Sequence, residues 1–357
     1  MNGNISNEEM YMFRCLELAN KGAGYVSPNP LVGSVIVKDG QIIGEGYHEK
    51  YGEAHAEVNA INNAKSKGYD LKGTELYVNL EPCSHSGKTP PCAKAIVSEG
   101  IQKVFIGMQD PYEEVNGGGI KILEDAGIEV SVGILKEQCE EINKFFITFV
   151  TKNRPYVSLK IAQSIDGVIA LKNHESKWIT GAESRKYVHY LRSIYDGVLV
   201  GKNTVKHDNP FLDVRDAEGR NPYRIIIDKA NELPRDLNVF KNDDGKTILI
   251  TFVSSDEQNT KEVWLESRNG FAVEDILKKL YEMNIASVLI EGGAHTFANF
   301  LKSDLYDDIY FFVAPKILGE GIRTFNDLGI DSLNSESKLR ATNVFKLEND
   351  TLIYCRK

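Results

Sequence analysis

Cysteine is scarce in this chain: five in 357 residues, at positions 15, 83, 92, 139 and 355. An odd, scattered set is no disulfide framework of a secreted domain, so a reducing cytoplasm is the expected compartment. Long apolar runs are missing as well. No stretch approaches the roughly 18–20 residues that cross a bilayer as a helix, and the polar opening from Met1 to Glu9 lacks the basic and apolar regions of a signal peptide. Positive charge is in deficit: 42 Lys and Arg face 51 Asp and Glu, a net charge of −9. Such a balance gives no general attraction for phosphate backbones or anionic membranes, so neither nucleic acid nor membrane is an expected partner. Internal repeats and low-complexity tracts are absent too. What is present, 42% hydrophobic and 26% charged residues, is the mixture of a globular protein. Single cores stop growing near ~250–300 residues, so a chain this long is expected to divide into two domains.

Periodicity predicts a helix over 9–19, then strands over 31–37 and 41–47 joined through Asp39-Gly40, a strong hairpin turn. Helices are expected over 54–67, 92–99 and 120–125, alternating with strands over 74–80, 103–108 and 128–134. Such alternation implies a sheet covered by helices on both faces. The segment 143–154 breaks the pattern, and the domain boundary is placed there, dividing 1–149 from 150–357. A second series follows. Buried strands are predicted over 156–163, 197–200, 223–228, 247–252, 287–290 and 308–313, and the clearest helices over 185–194, 273–283 and 296–302, so this half is also α/β.

The sharpest chemical feature is His55-Ala56-Glu57, followed by Pro82-Cys83 and, after eight further residues, Cys92. One histidine and two cysteines supply three zinc ligands, which leaves a fourth tetrahedral position for water, the arrangement of a catalytic site. His55 and Cys92 fall at the starts of predicted helices, where the dipole favours a thiolate. Glu57 is placed to reach a metal-bound water rather than the metal. Zinc lowers the pKa of such a water toward ~7, and Glu57 is the expected shuttle that takes its proton and hands it to a leaving amine. His-x-Glu with a downstream Pro-Cys is the pattern of the zinc nucleobase deaminases. Cys15, Cys139 and Cys355 read as buried small hydrophobes and His85 as a loop histidine.

Polynucleotide and nucleoside deaminases place two residues between their cysteines. The eight found here, with Gly87-Lys88-Thr89-Pro90-Pro91 inside, resemble the riboflavin-pathway pyrimidine deaminase. Ser27-Pro28-Asn29-Pro30-Leu31-Val32-Gly33, Gly44-Glu45-Gly46-Tyr47-His48 and Asp110-Pro111 with Val115-Asn116-Gly117-Gly118-Gly119 strengthen the resemblance. It implies that Asn29, His48, Lys88 and Asp110 bind an aminopyrimidine and its ribose phosphate. One departure is Tyr112-Glu113, where the family usually carries Asn-Pro, so no substrate contact is assigned to Tyr112.

The second half opens with Arg154-Pro155-Tyr156-Val157-Ser158-Leu159-Lys160-Ile161-Ala162-Gln163-Ser164-Ile165-Asp166-Gly167 and continues through Trp178-Ile179-Thr180-Gly181, Val188-His189-Tyr190-Leu191-Arg192 and Glu291-Gly292-Gly293. This series resembles the riboflavin-pathway reductase domain, whose fold is similar to dihydrofolate reductase. No Gly-x-Gly-x-x-Gly fingerprint follows its first strand, so the usual dinucleotide signature is missing, although Glu291-Gly292-Gly293 opening a helix after a strand suits an anion. The resemblance gives Ala162, Trp178, Thr204, Asp208 and Gly293 to NADPH, and Lys160, Ser176, Arg192, Leu212, Arg215 and Glu291 to the ribosylaminopyrimidine. Without the family, Arg192 and Arg215 are still suited to phosphate oxygens.

Taken together, the expected fold is α/β, a cytidine-deaminase-like three-layer domain followed by a dihydrofolate-reductase-like domain. The expected function is zinc-dependent deamination of a phosphorylated pyrimidine, then NADPH-dependent reduction of its ribosyl group, in a cytoplasmic homo-oligomer. The alternative is a zinc nucleobase deaminase carrying a non-catalytic, dimerising C-terminal domain.

Overall fold

The computed structural model describes residues 6–84, 91–112, 116–242, 244–253, 261–264, 272–325, 328–332 and 339–357. The chain forms two compact units, Met1–Asn153 and Arg154–Lys357.

In the first unit, helix α1 (Asn7–Asn20) starts at a capping box: Ser6 Oγ accepts from the Glu9 amide at 3.2 Å while Glu9 Oε2 accepts from the Ser6 amide at 3.0 Å. Strands β1 (Gly33–Lys38) and β2 (Gln41–Tyr47) form the hairpin, whose turn residues Asp39 and Gly40 have φ of 52° and 74°. These values suit Asp-Gly and match the twist of the paired strands. Then come α2 (Ala56–Ser66), β3 (Glu75–Leu80), α3 (Cys92–Ser98), β4 (Lys103–Met108), α4 (Gly118–Asp125), β5 (Glu129–Val132), α5 (Lys136–Ile142) and α6 (Lys144–Lys152).

The strands make one sheet in the order β2-β1-β3-β4-β5, antiparallel across β2-β1-β3 and parallel from β3 to β5. Alternation along β1 divides the core. Ile36 faces Ala60, Ile61 and Ala64 of α2, Ile96 of α3 and Leu123 of α4. Val35 and Val37 face Tyr11, Met12 and Cys15 of α1 and Cys139 of α5. The result is the three-layer arrangement expected from the sequence. Helix α2 lies so close to β2 that a Cβ on Gly46 would meet the Ala60 amide nitrogen at 2.3 Å.

The second unit contains β6 (Tyr156–Ser164), β7 (Val168–Ala170), α7 (Ala182–Ile194), β8 (Gly197–Gly201), α8 (Lys202–Asp208), β9 (Tyr223–Ile227), β10 (Thr247–Thr251) and β11 (Lys261–Trp264). It continues with α9 (Val273–Glu282), β12 (Ser287–Ile290), α10 (Ala294–Lys302), β13 (Asp308–Ala314), β14 (Ile322–Arg323), β15 (Arg340–Leu347) and β16 (Asp350–Arg356). Nine strands join in the order β11-β10-β9-β8-β12-β6-β13-β16-β15. The run from β11 to β13 is parallel, and β16 and β15 close it antiparallel. Val157, Leu159, Leu199, Ile225, Ile248 and Val288 of the parallel strands pack with Ile276 and Leu280 of α9 and Phe297 and Phe300 of α10. Buried parallel strands read as unbroken apolar runs, which is why these were legible.

The segment 143–154 is mostly filled by α6, and the units divide between Asn153 and Arg154, inside that segment and four residues past 149/150. Its residues, Phe145-Phe146-Ile147-Thr148-Phe149-Val150-Thr151, are aromatic and β-branched and have low helix propensity, so packing rather than propensity makes the helix. The second unit also holds elements the periodicity did not give: α8, the short β7/β14 pair, and β11, β15 and β16. No helix among the described residues is long and apolar enough to cross a membrane.

Candidate functional sites

His55 is the N-cap residue of α2, Cys83 lies just past the end of β3, and Cys92 is the first residue of α3. Among the described residues these three form the one cluster of metal-ligating side chains, with ligand atoms within 4.8 Å of one another. His55 Nδ1 stands 3.6 Å from Cys83 Sγ and 3.3 Å from Cys92 Sγ. A tetrahedral zinc with bonds of ~2.3 Å to sulfur and ~2.0–2.1 Å to nitrogen separates its donors by about 3.6–3.8 Å, so this donor set fits the ion in both kind and spacing. The Cys92 amide donates to Cys83 Sγ at 3.3 Å; the Cys92 thiol first, then His55 and this amide, hold the Cys83 thiol well below its usual range. Its thiolate is the form that binds metal.

Glu57, in the first turn of α2, is buried beside the cluster and shares a hydrogen bond with the Cys92 thiol. Burial pushes its carboxyl up to about 7. Asn29 and His48 stand on the same side. The His48 ring meets the His55 ring edge-on at 5.4 Å, and Asn29 Nδ2 lies 3.2 Å from His48 Nε2. His48 Nδ1 is 3.1 Å from the Ala54 carbonyl, which can only accept, so Nδ1 carries a proton and Nε2 accepts from Asn29. Burial lowers the His48 pKa. Asp110 follows β4 and is buried. Lys88 and His85 lie outside the described residues. Side-chain spacing did not single out Glu81, whose carboxylate meets backbone amides around Asp110 and at the start of α4.

In the second unit, all eleven residues predicted for cofactor and ribosylaminopyrimidine line one cavity of about 1040 Å³. Pockets for small ligands span about 300–1,000 Å³, so this one lies at the large end of that range. Lys160 and Ala162 come from β6, Arg192 from α7, Thr204 and Asp208 from α8, and Glu291 and Gly293 from the turn between β12 and α10. Thr204 Oγ1 accepts from the Gly293 amide at 3.3 Å, which ties α8 to the turn between β12 and α10. Ser176 Oγ donates to Asp208 Oδ1 at 2.9 Å. Trp178 is 63% exposed at the rim, with the Arg185 guanidinium 4.5 Å above its ring.

At the floor, Arg192 grips both oxygens of Glu291, at 2.6 and 2.9 Å, and donates to the Asp213 carbonyl at 3.1 Å; Lys160 Nζ lies 3.2 Å from Glu291 Oε2. Burial would raise the Glu291 pKa, but Arg192 and then Lys160 bring it down to about 2. Arg192, expected to face a phosphate, is thus already engaged by a carboxylate. Arg215 is half exposed, pairs with Asp213 Oδ1 at 2.5 Å and stacks over Phe211 at 5.3 Å, while Leu212 is buried.

A metal-ready His/Cys/Cys cluster at the starts of two helices beside a buried glutamate is the arrangement of a zinc-dependent deaminase, and the same chain carries a second α/β unit with a large cavity of partly cationic lining. Residues 5–108 match the cytidine and deoxycytidylate deaminase zinc-binding region, and residues 155–353 the RibD C-terminal domain. The riboflavin biosynthesis protein RibD of Aquifex aeolicus is 44% identical, with 98% of each chain covered; that of Bacillus amyloliquefaciens is 41% identical over 96% of this chain and 94% of its own. The solved diaminohydroxyphosphoribosylaminopyrimidine deaminase/5-amino-6-(5-phosphoribosylamino)uracil reductase of Thermotoga maritima superposes with a TM-score of 0.91 at 43% identity and 98% coverage of both chains. The chain belongs to the riboflavin biosynthesis protein RibD family, and it is a bifunctional enzyme of riboflavin biosynthesis that binds zinc.

Proposed function

We propose that the two units act in succession on one phosphorylated pyrimidine. Residues 1–149 would hydrolyse the 2-amino group of 2,5-diamino-6-(5-phosphoribosylamino)pyrimidin-4(3H)-one, and residues 150–357 would reduce the ribosyl group of 5-amino-6-(5-phosphoribosylamino)uracil to ribityl with NADPH. The division between Asn153 and Arg154 supports two separate catalytic bodies. The observation that carries the deaminase reading is the convergence of His55, Cys83 and Cys92 beside the buried Glu57.

His55, Cys83 and Cys92 would hold zinc, which when bound supplies a Lewis acid that makes water acidic near neutral pH. Glu57 takes a proton from the attacking water on its carboxylate and returns it to the departing amine, so the ring carbon exchanges its C–N bond for C–O and ammonia leaves. Asn29 reads the pyrimidine edge with its paired donor and acceptor, held by His48; Asp110 and Lys88 are the further residues expected to bind the substrate.

In the second unit, NADPH when bound would supply the hydride that reduces the anomeric carbon of the opened sugar or its imine. Ala162, Trp178, Thr204, Asp208 and Gly293 would place the cofactor, and Lys160, Ser176, Arg192, Leu212, Arg215 and Glu291 the substrate; all belong to the same cavity. A cytoplasmic homo-oligomer is the state in which we expect the enzyme to work, in keeping with the few, unpaired cysteines.

The test is a coupled assay with the diaminopyrimidine phosphate, scoring ammonia and NADPH consumption separately. Glu57→Gln is expected to abolish ammonia release while zinc stays bound and the deaminated intermediate is still reduced. An active Glu57→Gln enzyme would sink the proton-shuttle role, and a chain that neither binds nor consumes NADPH would sink the reductase reading.

A further inference from the structure

Glu81 sits between β3 and the Pro82-Cys83 ligand segment, and its carboxylate is buried. Four backbone amides converge on it. Asp110 and Gly117 donate to Oε2 at 3.2 and 3.1 Å, and Gly119 and Ile120 donate to Oε1 at 3.0 and 3.3 Å. The Glu81 amide in turn donates to the Met108 carbonyl at the end of β4 at 3.0 Å. A carboxylate has about four lone-pair sites, so its acceptor capacity is filled by main-chain donors 29 to 39 residues away in sequence.

Helix α4 explains why a distant carboxylate is needed. Its N-cap is Gly117, with φ of 76°, and it has neither a capping side chain nor an acidic residue in its first turn. The cap comes instead from the segment that carries a metal ligand. Contact between the two is close: a Cβ on Gly119 would fall 1.9 Å from the Pro82 carbonyl oxygen, and one on Gly118 would fall 2.7 Å from Ser84 Oγ. The glycines let α4 rest directly on residues flanking Cys83. A purely local cap would bind only the first amides of α4, but Glu81 also takes the amide of Asp110.

We infer that Glu81 is a positioning residue of the deaminase site, fixing Asp110 and the start of α4 in register with the Cys83 segment so that the substrate-binding loop and the metal are held as one unit. This rests on the deaminase reading above. Glu81 does not touch the reacting atoms; it acts through Asp110 and the main chain.

The experiment compares the full-length wild type with Glu81→Gln and Glu81→Asp, measuring zinc content, steady-state ammonia release and NADPH-dependent reduction of the deaminated intermediate. Glu81→Gln replaces one acceptor oxygen by an NH₂ that faces amide donors, so two of the four bonds are lost. Deaminase kcat/KM is expected to fall about 10- to 100-fold, the range for a small misplacement of groups that hold a substrate. The loss should lie mainly in KM, with zinc content and reductase activity unchanged, and Glu81→Asp should recover part of it. Unchanged kcat/KM in Glu81→Gln overturns the proposal, as does loss of zinc from that variant, which would make Glu81 a support of the metal segment instead. Wild-type protein that releases no ammonia would overturn the deaminase reading and this inference together, whereas an active wild type with an equally active Glu81→Gln overturns this inference alone.

Discussion

Burying Glu291 between Arg192 and Lys160 makes its ionisation part of the stability of the second unit. Its pKa in the folded protein, about 2, lies below the ordinary value of 4.5. The stabilisation is therefore fully present above about pH 4.5 and is lost as pH falls toward 2. Glu291→Gln removes the charged partner of Arg192 and Lys160 and should make the unit less stable near neutrality. In urea unfolding of the second unit, the gap between wild type and Glu291→Gln should narrow by about 1–2 kcal/mol between pH 6 and pH 3. A gap that stays constant over that range would show that the carboxylate is not held in its charged form by its partners. At this scale the sequence was legible where side chains form the pattern, as with His55, Glu57, Cys83 and Cys92. Glu81 was not legible, because its partners are backbone amides, which every residue but proline carries. Nor could spacing show that Arg192 would spend its guanidinium on Glu291.

Among the elements, α2 carries the heaviest responsibility, since its cap is His55 and its first turn holds Glu57. It keeps its place by packing on glycines of β2, and the space at Gly46 is too small for a methyl group. Gly46→Ala should push the helix off the sheet, at a cost of about 1–3 kcal/mol, which is ordinary for overpacking. As the displacement carries His55 away from Cys83 and Cys92, zinc affinity measured by competition with a chelator should weaken along with thermal stability. Lost stability with undiminished zinc affinity would mean the strand, not the helix, gives way. Elements with apolar periodicity were read close to their observed limits; β4 and β12 agree to the residue. Strand β15 escaped because seven of its eight residues are exposed, so burial never imposed an alternation on it. It exists through its ladder to β16, a non-local pairing that no short window contains.

Over the whole molecule, the two units keep separate cores and separate candidate sites. Removing zinc with a chelator should therefore abolish ammonia release while changing NADPH-dependent reduction of the deaminated intermediate by less than about twofold, and returning zinc should restore the deaminase. Chelation that stops both activities in a folded protein would argue against independent sites. The overall charge of −9 works against anionic ligands. The cavity of the second unit answers it locally, with Lys160, Arg192 and Arg215 set in its wall.

The chain has only two tryptophans, Trp178 and Trp264, and both belong to the second unit. Trp178 stands in the cavity wall, largely open to solvent under the Arg185 guanidinium. Fluorescence excited at the red edge of indole absorption, beyond the tyrosine band, therefore comes from one half of the molecule. The enzyme carries its own lamp for the reductase, by which ligand entry and unfolding there can be watched without labelling.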